Sequence, residues 1–72
     1  MEPIEKQLGN RIRRFRETQK LSQEELAHRA GVHRTYLGGI ERGERNPSLK
    51  NLAAIARALN VRLADLVDIN VK

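Results

Sequence analysis

The sequence predicts an all-α fold, a compact bundle of five short helices in one domain that spans residues 1–72. Three observations support this prediction. Apolar side chains recur at spacings of three and four residues, which is the period of one helix face. Residues that start or stop helices, mainly proline, serine, glycine and asparagine, separate these stretches. No alternation of apolar and polar residues is long enough to indicate a β-strand.

The first predicted helix covers residues 4–18, and Pro3 is suited to open it because proline is favoured in the first turn. Its apolar side chains form one stripe: Ile4, Leu8, Ile12 and Phe15. We expect this helix to pack on the bundle by that stripe.

The second predicted helix covers residues 23–30 and has clear signals at both ends. Ser22 is an expected N-cap, and Glu25, three residues later, completes a capping box. Gly31 should end the helix because glycine adopts the left-handed backbone conformation at low cost.

The remaining sequence predicts three more helices, which cover these ranges: 34–42, 48–59 and 63–68. We expect Gly43 to end the helix over 34–42. Pro47 and Ser48 mark the start of the helix over 48–59, and Asn60 suits its C-terminal end. The helix over 63–68 has the least support, since it carries only a short apolar pattern.

Length and composition narrow the class of protein. A chain of 72 residues has room for one domain of marginal stability. It has no cysteine, so neither a disulfide nor a zinc-thiolate site is expected, and a reducing compartment fits. No apolar run approaches the roughly 20 residues that cross a bilayer. We expect a soluble, cytoplasmic protein with no membrane partner.

Catalysis and metal binding have little support in the sequence. His28 and His33 have no third ligand at metal spacing, and Ser22 has a capping role with no nearby base. No glycine-rich phosphate loop follows a strand. We therefore expect no enzyme, no cofactor, no metal and no small-molecule ligand.

The formal charge of +5 favours polyanionic partners, although an ordinary soluble surface is an alternative explanation. Residues 23–47 themselves carry equal numbers of acidic and basic side chains. Within them, two helices are joined by a short turn, and such a pair crosses steeply and leaves the outer face of its second helix uncovered. That face is the candidate functional surface.

The residues of this segment resemble a known family, the helix-turn-helix repressors of the phage repressor and Cro type, also called the XRE family. The resemblance runs through "LSQEELAHRAGVHRTYLGGIERG" and "NPSLKNLAAIARAL". It implies a lambda repressor-like domain that binds double-stranded DNA and regulates transcription. Within the family, "HRTYLGGIERGERN" is most similar to the controller proteins of bacterial restriction-modification systems.

The resemblance also implies roles for single residues. It places these residues at base edges, most of them on the third helix in the major groove: His33, Arg34, Thr35, Gly39 and Arg45. It places Ser22 and Gln23 at a backbone phosphate, where the second helix points its N-terminus, and Arg45 and Asn46, in the loop after the third helix, at a base or a phosphate. Tyr36 is expected to offer its hydroxyl to a phosphate. Arg16 and Glu41 match a structural ion pair. Ordinary exposed or packing roles are the alternative for each of these positions.

The third helix departs from the family pattern at His33 and at Gly39, where several relatives carry a polar base-reading side chain. His33 stands where many members have a serine or threonine N-cap, and imidazole is a poorer cap. Gly38 and Gly39 each cost a helix roughly 1 kcal/mol. We interpret them as clearing the face that meets DNA, so that the backbone lies close to the groove. The alternative is that they avoid a clash with the second helix or a second subunit.

One recognition helix reads only a few base pairs, so a two-fold homodimer on a pseudo-palindromic operator is expected. The apolar C-terminal residues are its predicted interface: Leu63, Leu66, Val67, Ile69 and Val71. Some of them could instead complete the core of the monomer. The rival function is a protein-interaction or antitoxin module with the same fold, and RNA binding is less favoured because the chain has few aromatic residues.

Overall fold

The computed structural model of the protein describes residues 2–70, and within that range it contains five α-helices and no strand. The helices have these bounds: α1 Ile4–Thr18, α2 Gln23–Ala30, α3 Arg34–Glu41, α4 Leu49–Ala58 and α5 Leu63–Leu66. The predicted all-α, five-helix fold is confirmed. The helix α5 ends two residues before the predicted limit, because Val67 already leaves the helical region with φ −99° and ψ 16°. The residues Met1, Val71 and Lys72 lie outside the described range.

The start of α2 has the predicted capping box. The backbone N–H of Glu25 donates to Ser22 Oγ at 3.0 Å, and the backbone N–H of Ser22 donates to Glu25 Oε1 at 2.9 Å. Donation from the Ser22 backbone, and then the Ser22 side chain, lowers the pKa of the Glu25 carboxyl because both stabilise its charged form. Two of the donors that a helix start leaves unsatisfied are therefore paired.

The first four helices end in the same kind of turn, in which one residue adopts a positive φ. At Gly31 and Gly43 this conformation is easily accommodated, with φ of 72° and 76°. Lys20 and Asn60 adopt it at φ 58° despite their side chains. In each case the following N–H bonds back across the last turn, as from Leu21 to the carbonyl of Arg16 at 3.1 Å. These tight turns keep the connections short.

The core forms where the apolar faces of all five helices meet. Its fully buried side chains are Ile12, Leu26, Leu37, Ile40, Ile55, Leu59 and Leu66. The helix α3 lies between α1 and α2, while α4 packs against α2 and α5. This arrangement fixes α3 from two sides along its C-terminal part.

Gly9 of α1 lies at a close approach between α1 and α3. A Cβ atom on Gly9 would lie 2.6 Å from the carbonyl oxygen of Glu41 and closer still to that of Ile40. Both are backbone atoms at the end of α3, which cannot move aside without moving the helix. Gly9 therefore sets the distance between α1 and α3.

Candidate nucleic-acid interface

The two ends of α3 differ sharply in exposure. Residues 37–41 are all buried, whereas Arg34 and Thr35, which we call the exposed end of α3, are open to solvent. Within residues 2–70, neither side chain of the exposed end makes a hydrogen bond or an ion pair. Their donors and the guanidinium charge are therefore available to a ligand.

His33 caps the exposed end through its side chain. Its Nδ1 accepts a hydrogen bond from the backbone N–H of Thr35 at 3.3 Å. The imidazole thus takes the position of the usual serine or threonine oxygen. With Nδ1 used in this way, only Nε2 of His33 remains to meet a partner from outside.

The N-terminus of α2 offers backbone donors as well as side chains. The capping box uses the N–H groups of Ser22 and Glu25, which leaves those of Gln23 and Glu24 in the first turn for a ligand. A helix N-terminus attracts anions because its free N–H groups and its dipole act together. This end of α2 therefore has free donors of the kind that the predicted phosphate contact at Ser22 and Gln23 requires.

The buried end of α3, residues 37–41, is held by the ion pair that the resemblance predicts. Arg16 Nε and Nη2 donate to the two carboxylate oxygens of Glu41 at 2.7 and 3.0 Å, and Arg16 Nη1 donates to the carbonyl of Leu21 at 2.8 Å. Only 12% of the Arg16 side chain and 3% of the Glu41 side chain are exposed. The hydrogen bond to Glu41 raises the pKa of Arg16, which outweighs its partial burial.

A third residue joins this pair. Gln23 Nε2 donates to Glu41 Oε1 at 3.0 Å, so the predicted phosphate-contacting side chain of α2 is bonded to the buried end of α3. Sequence reasoning missed this bond, since Gln23 and Glu41 lie far apart along the chain. The Gln23 amide is therefore restrained within the protein itself, without a ligand.

The interpretation of Gly38 and Gly39 as an open face is wrong. Both glycines are buried. The space beside Gly39 is filled by the side chain of Arg45, because the turn at Gly43 folds the next loop back onto α3. Gly39 therefore cannot offer its backbone to a base as predicted. A Cβ atom on Gly38 would lie 3.1 Å from Arg42 Nη1 and 3.5 Å from Gln23 Oε1, and the second distance is an ordinary contact, so no clash with the second helix explains this glycine.

Tyr36 and the loop after α3 complete the candidate surface. The half-buried Tyr36 accepts a hydrogen bond at its hydroxyl oxygen from Asn51 Nδ2 at 3.1 Å, which ties α3 to α4. Its hydroxyl proton is still available to a phosphate oxygen. Arg45 and Asn46 follow in the loop, and both are exposed. Asn51 carried no sequence signal for this role.

The predicted dimer residues divide into buried and exposed groups. Leu66 is fully buried in the core, so its prediction as an interface residue is wrong; its side chain faces the other helices of the same chain. Leu63 is half-buried and packs on the core, Ile69 is half-buried, and Val67 is 44% exposed. Val71 lies outside the described residues.

Other kinds of site find no support in the part of the chain that the structure describes. No helix there is long and apolar enough to cross a membrane. No group of three or more histidine or acidic side chains between residues 2 and 70 could hold a metal ion.

The architecture agrees with the comparisons to known proteins. The helix-turn-helix family HTH_3 matches residues 12–66, which cover α2, α3 and most of the other helices. The chain belongs to this family. HTH_3 proteins are DNA-binding transcriptional regulators and not enzymes, so the predicted function as a DNA-binding regulator is confirmed.

Individual HTH_3 relatives include two control proteins. The chain is 44% identical over 64 residues to Control protein C.SmaI of Serratia marcescens, across 89% of this chain and 76% of that protein. It is 46% identical over 61 residues to Control protein C.BamHI of Bacillus amyloliquefaciens, across 83% and 75% of the two chains.

One solved HTH_3 structure is similar over almost all of its own length. The restriction-modification controller protein C.AhdI from Aeromonas hydrophila superposes with a TM-score of 0.85 at 44% identity, across 86% of this chain and 94% of that one. The predicted resemblance to controller proteins is therefore confirmed.

Proposed function

We propose that this regulator reads a specific site in double-stranded DNA by placing the exposed end of α3 in the major groove. The observation that carries the proposal is the contrast within α3: its C-terminal half is held by the core and the Arg16–Glu41 pair, while the side chains of Arg34 and Thr35 have no partner within residues 2–70. Arg34 donates two hydrogen bonds to O6 and N7 of a guanine, and Thr35 contacts a base edge or a thymine methyl group. A bidentate arginine contributes about 1–3 kcal/mol of discrimination.

Phosphate contacts on either side of the groove align α3. The N-terminus of α2, with Ser22 and the restrained Gln23 amide, binds one backbone phosphate. Tyr36 and Asn46 reach the backbone on the other side through the Tyr36 hydroxyl proton and the Asn46 amide. These contacts fix the register of the protein on DNA and leave the choice of sequence to the base-reading side chains.

The protein acts as a two-fold homodimer in this proposal, with its interface at the end of α5. Val67 is one of the large apolar side chains left exposed, and Leu63 and Ile69 are half-buried near it along the chain. Two copies related by a two-fold axis would read half-sites roughly 34 Å apart. The operator is then a pseudo-palindrome.

The relatives support a more specific assignment, control of a restriction-modification system. C.SmaI and C.BamHI are named control proteins, and C.AhdI is a restriction-modification controller protein. If the assignment is right, the selected operator occurs upstream of a restriction or modification gene in the host genome. Its occurrence only beside unrelated genes would contradict the assignment.

Selection of bound sequences from a random DNA pool tests the mode of recognition. We expect a palindromic consensus, bound with an affinity that falls steeply as salt rises because phosphate contacts release counterions. A consensus with only one half-site, or binding without sequence preference, would contradict the proposed recognition.

The dimer is tested by sedimentation of two variants with a new charge on an exposed apolar residue. Val67→Asp should shift the protein towards monomer, while Leu49→Asp, at a side chain that is 71% exposed on α4, should leave the association state of the parent unchanged. Equal behaviour of the two variants, or a parent that remains monomeric with and without operator, would contradict the proposed interface.

A further inference from the structure

The side chain of Arg45 lies in the space that a side chain on Gly39 would occupy. A Cβ atom built on Gly39 would be 2.8 Å from Cγ of Arg45, 3.6 Å from its Cδ and 3.7 Å from its Cβ. The aliphatic stem of Arg45 thus packs directly on the backbone of α3. Any residue other than glycine at position 39 would push that stem away.

The backbone of the loop is fixed at the same point. Gly43 turns the chain with φ 76°, and the N–H of Glu44 donates to the carbonyl of Gly39 at 2.8 Å. The residue before Arg45 is thereby bonded to Gly39 itself. Both the main chain beside Arg45 and the stem of Arg45 are held against one residue of α3.

The charged end of Arg45 remains open to a ligand. Arg45 is exposed, and within the described range its guanidinium forms no ion pair. The nearest acidic residue in sequence, Glu44, is paired with Arg42 at 3.1 Å. Thr35 and Gly39 are four residues apart on α3 and share one helix face, so the stem of Arg45 crosses the face that Thr35 occupies at the exposed end.

We propose that Gly39 is a positioning residue whose missing side chain forms a seat for Arg45, so that α3 and the following loop read the operator as one surface. The inference rests on the proposed function. Held by its seat, the guanidinium of Arg45 reaches a guanine edge beside the base pair that Arg34 reads. A side chain ordered in advance loses less conformational freedom on binding, and its fixed place restricts it to one base pair. The two glycines of α3 therefore differ, since only Gly39 supports a DNA-reading side chain.

Four variants test the seat: Gly39→Ala, Arg45→Ala, the double variant and Gly38→Ala. The last is the matched control, because it adds the same methyl group to the same helix without touching Arg45. Binding of each variant is measured on the selected operator and on a panel in which each base pair is replaced in turn. Thermal unfolding of each variant is followed in parallel.

The expected results separate a seat from a merely structural glycine. Arg45→Ala weakens operator binding about tenfold and removes the preference at one base pair of each half-site. Gly39→Ala weakens binding several-fold and removes the same preference, yet it does not lower the melting temperature, since alanine favours the helix. Gly38→Ala, whose new methyl group lies beside Arg42 and Gln23 and away from Arg45, keeps the preference at that base pair. The double variant binds no more weakly than Arg45→Ala, because the seat has lost its occupant.

Several outcomes would overturn the inference. It fails if Gly39→Ala keeps the affinity and the preference that Arg45→Ala loses, if the two losses multiply in the double variant, or if Arg45→Ala weakens all sequences equally, as a phosphate contact would. If Gly39→Ala alone unfolds, the double variant decides: a seat predicts that removing Arg45 restores folding, and continued unfolding overturns it. A parent that binds without selectivity would overturn the proposed function as well.

Discussion

The exposed and buried ends of α3 are a few residues apart and have opposite physical characters. The buried end is held by the core, by the backbone contact with Gly9 and by two hydrogen bonds between Arg16 and Glu41. The exposed end has a single cap at His33 and two side chains free of partners within residues 2–70. Changes at the buried end should therefore act on stability, and changes at the exposed end should act on binding.

Removal of Glu41 should have the largest effect on stability. Glu41→Ala leaves Arg16 largely buried and unpaired, and Gln23 loses its acceptor, so we expect a loss of about 3 kcal/mol or more in the free energy of unfolding. Urea unfolding measures this loss. Glu41→Gln is the control, since the amide keeps one acceptor for Arg16 and should cost less. A loss below about 1 kcal/mol for Glu41→Ala would contradict the assigned role of the pair.

Gly9→Ala should come next, because its new methyl group meets the carbonyl oxygens of Ile40 and Glu41, which belong to the backbone. We expect a loss of about 2–3 kcal/mol, the upper part of the range of overpacked sites, because the methyl group meets backbone atoms. Asn10→Ala on the exposed face of α1 serves as the control and should stay within about 0.5 kcal/mol of the parent. Chemical denaturation of both variants checks the difference. Equal stability of the two variants would show that α1 and α3 can separate easily.

Features that depend on neighbouring residues could be predicted from the sequence, while contacts between residues distant in the chain could not. The cap at Ser22 and Glu25 and the turn at Gly31 depend on residues close together in the chain, so the five helices could be predicted. Gly9 lies among the apolar positions of the first helix, and this is the only signal that could have pointed to its contact.

The candidate site depends more on packing than on local pattern. The bond between Gln23 and Glu41 and the seat of Arg45 on Gly39 require knowing how α2 and the loop lie on α3. The family resemblance supplied Arg16 with Glu41, but it could not show that Gly39 is covered. The same limit explains Leu66, whose apolar character fits a core as well as an interface.

A smaller and stabilising effect is expected at the end of α1. Lys20 adopts φ 58°, where a side chain is strained and glycine is not. Lys20→Gly should raise the free energy of unfolding by about 0.5–1 kcal/mol, with operator affinity unchanged apart from the lost charge. Thermal unfolding and a binding titration together check this. A destabilised Lys20→Gly would contradict the assigned strain.

The smallest expected effect is a change in acid sensitivity. The pKa of the Glu25 carboxyl is lowered by hydrogen bonds at the capping box, so its contribution to stability is present at neutral pH and is lost as the pH falls below about 4.5. Glu25→Gln cannot titrate. Its stability should therefore fall less steeply than that of the parent between neutral pH and pH of about 3, measured by urea unfolding at each pH. Identical slopes would contradict a folded-state role for the charge.

The most direct test of the whole account removes both side chains of the exposed end of α3. The variant Arg34→Ala with Thr35→Ala should unfold at the same urea concentration as the parent, because neither side chain has a partner within residues 2–70, and it should lose selective binding to the operator. Titration of the operator and of a scrambled duplex, with parent and variant side by side, measures this. An equally folded variant that still prefers the operator as strongly as the parent would contradict recognition by α3.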